Sequence, residues 1–400
     1  MFIVPKKKKV VIVGAGFAGV ALARKLLKKA GEKFSVVLID GRDYHLFKPA
    51  LYKAVASSAG PASVFSAVTM DFGEIFKNKS ESEIEVIHRR VRSVSLNTNS
   101  IILSRESEKT FWYDYLVLAL GAEPNFENVS GSEGNALPLA TYEDALKIKH
   151  NLENLIKNKP KHRIAEIVII GGGFIGCEFA ASLAEFGKVL AESVGQPKES
   201  IKISLIEVGE KLMKVSGGWL SEKTEKRLRQ MGVQLFLKKP ISFVKQGEII
   251  FAGGSSKSYD ILIWAGGSKP TESLFKKKCE VSDFLNFGSR KNIFAIGDFS
   301  GKGCIVPDAI EQAKYIAKVL VKAEKKSLFG AKKLSAAYKP AKKKFVLSLG
   351  RDYGLTDLGF VKLKGKRASF LKDLIFLNYF RKILPWRKAW AAYKKLKELE

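Results

Sequence analysis

Two clusters of glycines and acids in this chain have the spacing of a phosphate cradle. Gly14, Gly16 and Gly19 form a G-x-G-x-x-G pattern directly after the apolar run VVIV, and Asp40 follows Gly19 by 21 residues. Gly171, Gly173 and Gly176 repeat the pattern after IVII, and Glu207 follows Gly176 by 31 residues. In such a pattern the first glycine makes a tight turn, the second lets backbone approach a pyrophosphate, and the third lets a helix pack closely on a strand. The helix N-terminus then holds the phosphate charge. Phe17 and Ala18 fall inside the first pattern and belong to that cradle. A carboxylate ending the next strand accepts hydrogen bonds from ribose hydroxyls. Glu207 would repel the extra phosphate of NADPH, so NADH is the expected nicotinamide.

The elements that must position these residues are readable around each cluster. VVIVGAGFAG (10–19) and IVIIGGGFIG (167–176) are an internal repeat, each a buried-strand pattern entering a glycine turn and then a helical pattern. FSVVLID then ends on Asp40, and IKISLIE ends on Glu207. The longer second spacing comes from LAESVGQPKES, which lengthens the helix or adds a loop. YDYLVLALG closes a strand at Gly121, YDILIWAGG closes another at Gly266, and NIFAIGD brings a strand to Gly297 and Asp298. Residues 309–322, beginning at Ala309, read as a helix. The expected fold class is α/β, with two Rossmann-like dinucleotide-binding domains and a basic amphipathic C-terminal region. The expected boundaries are 1–125 for the first part of one dinucleotide domain, 126–270 for the other, 271–330 for the remainder of the first, and 331–400 for the C-terminal region.

With 400 residues, 46% of them hydrophobic, the chain can bury more than one core. A net charge of +29 favours anionic partners. Cys177, Cys279 and Cys304 lie far apart, and the four histidines are scattered, which leaves no disulfide framework and no metal-ligand spacing. No apolar stretch reaches the ~18 residues of a membrane span, and the N-terminal MFIVPKKKK carries no small-residue cleavage pattern.

The last fifth of the chain holds 22 Lys and Arg against 6 Asp and Glu. Tyr379, Ile383, Trp386, Trp390, Tyr393 and Leu396 recur there at spacings of three and four, with basic residues between them. Pro385 should kink this stripe or begin a second helix. Apolar residues flanked by charge of one sign suit an anionic lipid surface, here through residues 370–397. The same stripe would also serve as a cover for a neighbouring domain or as a homodimer contact. Nucleic acid is not expected as a partner, since no nucleic-acid module accompanies the basic residues.

The set VVIVGAGFAG, LIDGRDYHLFKPALYKAVA, YDYLVLALGAEPN, IVIIGGGFIGCEFA, KISLIEVG, DILIWAGGSKP and NIFAIGD, in that order, resembles the two-dinucleotide-domain flavoproteins. Within them the chain is similar to the type II NADH dehydrogenases, which are non-pumping NADH:quinone oxidoreductases. The resemblance implies FAD on the first turn, NADH on the second, and Asp298 on the ribityl chain of FAD. It implies hydride transfer from NADH to FAD and two electrons onward to a membrane quinone, in a peripheral protein on the cytoplasmic side of the cell membrane.

Three residues are implied in catalysis. Glu178 matches a carboxylate near flavin and nicotinamide. Lys48 stands where quinone-reducing relatives often have glutamine, and is expected to pair with Glu178. Gln312, with Ala309, matches the quinone-contacting segment, although Pro307 replaces its first glutamine. Residues 41–56 contain no cysteine, which disfavours disulfide reduction, and Cys177 is expected to be a small packing residue. Sulfide:quinone oxidoreduction, through Cys304 and Cys279, is the alternative reading, alongside a soluble NADH-dependent reductase of a protein electron carrier.

Overall fold

Each glycine turn ends the central strand of its own five-stranded parallel sheet. The computed structural model describes all residues except 1–6, 105–109, 272–273, 276–279, 304, 327–335 and 342. The described residues divide into two units: those within Met1–His45, Met70–Glu123 and Lys269–Lys342 make one, and those within Leu46–Thr69, Pro124–Ser268 and Lys343–Glu400 make the other.

In the first unit the sheet order is Ile293–Ala295, Tyr115–Leu118, Lys8–Val13, Phe34–Asp40, Ile84–His88. Val10, Val11 and Ile12 are wholly buried. Continuous apolar runs of this kind are what a parallel sheet covered on both faces requires. The helix Phe17–Ala30 buries Ala18, Leu22, Leu26 and Ala30, a spacing of four, and packs on the helix Val306–Lys326. A three-stranded antiparallel sheet, Val91–Ser95, Ser100–Leu103 and Thr110–Trp112, adds Ile101, Leu103 and Phe111 to the core.

The second unit repeats the plan, in the order Leu137–Pro138, Ile261–Trp264, Ala165–Ile170, Ile201–Ile206, Gln234–Phe236. The long spacing to Glu207 has both expected sources, a 20-residue helix, Phe174–Ser193, and a turn through residues 194–200. The register is the same in both sheets. Val13 lies opposite Ile39 and Ile170 opposite Ile206, so Asp40 and Glu207 are the next residues past equivalent rungs.

Two segments depart from the expected boundaries. Residues 46–69, assigned from sequence to the first domain, cluster with the second unit, and so do residues 343–400, which were expected to stand as a region of their own. The C-terminal stretch is an antiparallel sheet, Phe345–Ser348, Gly354–Asp357 and Lys362–Gly365, followed by helices Lys366–Ile383 and Trp386–Lys397. The second helix begins directly after Pro385. Packing explains the grouping: Phe47 is ringed by Phe376, Tyr379 and Phe380 at centroid distances of 4.9–5.6 Å. Of the predicted stripe, Ile383 and Leu396 are buried core, while Trp386 and Trp390 are 56% and 41% exposed.

Candidate functional site

The first turn closes because nothing larger than glycine fits its ends. Gly14 has φ +103°, and a Cβ there would sit 2.2 Å from the Ala119 carbonyl oxygen, where the strand Tyr115–Leu118 runs out. A Cβ on Gly19 would lie 1.9 Å from the Gly14 carbonyl oxygen. At Gly16, by contrast, an added Cβ meets nothing within 4 Å. The helix that starts at Phe17 has no side-chain cap and no acid in its first turn, so its positive dipole end is left for an anion. Asp40 accepts from the Ala15 N–H at 2.7 Å through one oxygen and from the Arg42 N–H at 3.0 Å through the other. These residues fit a dinucleotide: tight at both ends, open in the middle, and fenced by a carboxylate.

The second turn reproduces this geometry in the second unit. Gly171 has φ +107° and a Cβ there would meet the Ala265 carbonyl oxygen at 2.2 Å. Gly176 closes on the Gly171 carbonyl, and Gly173 is open. Glu207 accepts from the Gly172 and Gly209 N–H groups, both at 2.7 Å. Gly266 lies in the loop that presses on Gly171, packed against the Trp264 ring.

Around the first turn the structure gathers Ala18, Gly297 and Ala309. A Cβ on Gly297 would be 3.1 Å from that of Ala18 and 3.8 Å from that of Ala309. Asp298 is exposed in the short turn Gly297–Ser300, and Gly121, with φ +76°, follows the neighbouring strand. Gln312 holds this turn rather than facing outward as a quinone contact would. It is fully buried, and its Oε1 accepts from the Gly297 N–H at 2.7 Å and lies 3.1 Å from Ser300 Oγ.

In the second unit Glu178 is 8% exposed and accepts from the Ser348 N–H at 2.9 Å. Its ion-pair partner is Lys372, from the helix Lys366–Ile383, and not the expected Lys48, which is exposed at the head of the turn Lys48–Ala50. Lys372 Nζ also donates to the Tyr52 hydroxyl at 3.0 Å and lies over the Tyr52 and Phe376 rings. Burial, reinforced by the charge of Glu178, pushes the Tyr52 hydroxyl well above its ordinary pKa, so it stays protonated. Sequence reading missed Lys372, although a signal exists. Ala368, Lys372, Phe376 and Phe380 form one buried stripe at intervals of four, and a lysine inside such a stripe needs a buried partner.

Cys177 is fully buried, and burial raises its thiol pKa far above the usual range, consistent with packing. Cys279 and Cys304 lie outside the described residues. Among the described residues, no helix is long and apolar enough to cross a membrane.

The sequence profile of the pyridine nucleotide-disulphide oxidoreductases matches residues 8–314. Among curated proteins, an external alternative NAD(P)H-ubiquinone oxidoreductase, B2, of Arabidopsis thaliana mitochondria is 28% identical over 73% of this chain, which spans 54% of that protein. The type II NADH:quinone oxidoreductase of Haemophilus influenzae is 27% identical over 79% of each chain. Among solved structures, NDH2 of Plasmodium falciparum in complex with NADH superposes with a TM-score of 0.82 over 98% of both chains at 18% identity, a likeness of fold.

Proposed function

Since the chain belongs to the pyridine nucleotide-disulphide oxidoreductase family, we propose that it is an FAD-dependent NADH:quinone oxidoreductase that does not pump protons. The observation that carries this reading is the duplicated cradle: two glycine turns of one geometry, each fenced by its own acid, in a chain similar to NADH:quinone oxidoreductases. When bound, FAD supplies two-electron chemistry, accepting hydride from a nicotinamide and returning electrons to an acceptor.

The residues of the chain do the rest. The turn at Gly14, Gly16 and Gly19 with Asp40, Gly121, Gly297 and Asp298 would hold FAD. The turn at Gly171, Gly173 and Gly176 with Glu207 and Gly266 would hold NADH. Glu207, already fixed by two backbone N–H groups, is positioned to accept from ribose hydroxyls and to repel a 2′-phosphate. Reducing a quinone with NADH draws one proton from the medium, and in the second unit Lys372 donates both to the Glu178 carboxylate and to the Tyr52 hydroxyl, a continuous hydrogen-bonded group.

The acceptor is a membrane quinone, reached from a peripheral position on the cytoplasmic side of the cell membrane. Support for docking comes from Trp386, Trp390, Phe370, Leu374 and Ile375, all exposed on the two C-terminal helices among lysines and arginines. The test is spectroscopic. The purified protein should show an oxidised-flavin spectrum that bleaches on anaerobic addition of NADH and returns when a short-chain quinone is added. A colourless protein that cannot be loaded with FAD would refute the reading. Sulfide in place of NADH distinguishes the alternative chemistry, which substitution of Cys279 and Cys304 by serine should abolish while leaving NADH oxidation intact.

A further inference from the structure

We infer that His45 is a positioning residue of the flavin cradle, clamping the first glycine turn through the Ala15 carbonyl while Asp40 holds the Ala15 N–H. The inference rests on the assignment of FAD to that turn. Ala15 is the residue between Gly14 and Gly16, and both polar atoms of its backbone are taken by side chains. Its N–H donates to Asp40 Oδ2 at 2.7 Å, and its carbonyl oxygen lies 3.0 Å from His45 Nδ1. Only a protonated Nδ1 can bond a carbonyl, so this contact fixes the tautomer. Asp40 ends one strand, Phe34–Asp40, and His45 sits in the next, Tyr44–Leu46, so the turn is gripped by two consecutive elements of the sequence.

The imidazole has no exposed surface, and the ring of Phe17, the first residue of the cradle helix, meets it edge-on with centroids 5.0 Å apart. A ring so placed sets the turn and the start of the helix together. Burial lowers the His45 pKa to about 4, aided by the charge of Arg42 and opposed by the Ala15 carbonyl and Asp40. The ring is therefore neutral across the physiological range. The clamped turn binds fewer protons than an opened turn whose histidine titrates near its ordinary 6.5. Acidification from pH 6.5 towards 4 thus favours opening.

The test uses FAD-loaded wild-type, His45→Asn and His45→Leu proteins. The asparagine amide can replace the Nδ1 donor but does not titrate; leucine supplies no donor. FAD release is followed by the rise of flavin fluorescence between pH 8 and 5, with far-UV circular dichroism reporting folding. Release from the leucine protein should be at least about tenfold faster than from wild type, because a buried carbonyl loses its donor. The asparagine protein should hold FAD within about threefold of wild type at pH 8 and should lack the acceleration that wild type shows on acidification. A folded leucine protein releasing FAD at the wild-type rate overturns the inference while leaving the flavin assignment intact. So does an asparagine protein with the full acid-dependent step, which is decisive even if the leucine protein fails to fold. A wild-type protein that cannot be loaded with FAD overturns both.

Discussion

Lys372 Nζ is bonded to Glu178 Oε1 across 194 residues of chain, so a helix near the end of the sequence supplies the counter-charge for an acid two residues past the second glycine turn. Both side chains are nearly shut off from water, at 7% and 11% exposure. Removing one partner strands a buried charge, whereas replacing both by neutral groups does not. Lys372→Met should cost ~3–5 kcal/mol of unfolding free energy, and the double substitution Lys372→Met with Glu178→Gln should recover most of it. Urea denaturation of these two variants and of Glu178→Gln alone measures this; additive losses in the double variant would contradict the pairing.

The four glycines that begin and interrupt the two turns should separate folding from binding. Gly14→Ala and Gly171→Ala force a left-handed backbone and a 2.2 Å approach to a carbonyl oxygen, and should destabilise by about 2–4 kcal/mol. Gly16→Ala and Gly173→Ala meet open space and should keep wild-type melting temperatures. They should nevertheless fail as cofactor sites, the first losing FAD and the second raising the KM for NADH, because the added methyl lies where backbone must approach phosphate.

Glu207→Gln should shift the preference from NADH towards NADPH by about tenfold in kcat/KM, since it removes a charge that faces a 2′-phosphate at short range. Steady-state rates with the two nucleotides decide this, and an unchanged ratio would place the discrimination elsewhere.

Glu400 is bonded to Lys53, itself 7% exposed, and to Lys397. Burial raises its carboxyl pKa, but the two ammonium groups outweigh that and hold it below its ordinary 4.5. A depressed folded pKa contributes stability above the unfolded value, which is lost as pH falls through the folded one. Thermal melts between pH 6 and 3 should therefore show a steeper acid loss for wild type than for Glu400→Gln, and parallel curves would remove Glu400 from the acid response.

Trp386→Ser with Trp390→Ser should lower partitioning to anionic vesicles by at least about tenfold. Binding by wild type should weaken with added salt as lysines and arginines are screened from lipid phosphate. Vesicle sedimentation at several ionic strengths gives both results. Unaltered binding by the double variant would reassign the exposed indoles.

The strand–turn–helix repeats were legible because their demands are local: Gly14 and Gly171 need a left-handed backbone and a close approach, and only the residues beside them impose it. The acids were legible because a single α-helix and a single strand lead from each turn to its acid. What could not be read is what the chain assembles over distance. Nothing near Lys48 or Glu178 reveals that Lys372 arrives from the C-terminal helix. The burial of Gln312 likewise depends on how the helix Val306–Lys326 lies over the turn Gly297–Ser300. The C-terminal stripe misled in a different way. Its periodicity correctly marks helix, but Ile383 and Leu396 answer to core while Trp386 and Trp390 answer to solvent, and spacing alone does not separate the two.

The helix Lys366–Ile383 has two unlike sides, with Phe370, Leu374 and Ile375 outward and Lys372, Phe376 and Phe380 inward. Shortening the protein at its C-terminus to make it easier to handle is therefore not a neutral convenience. Any truncation that reaches back to Phe370 also deletes an ammonium from the interior, and a drop in turnover by the trimmed protein would be wrongly blamed on lost adsorption unless Glu178 were neutralised in the same molecule.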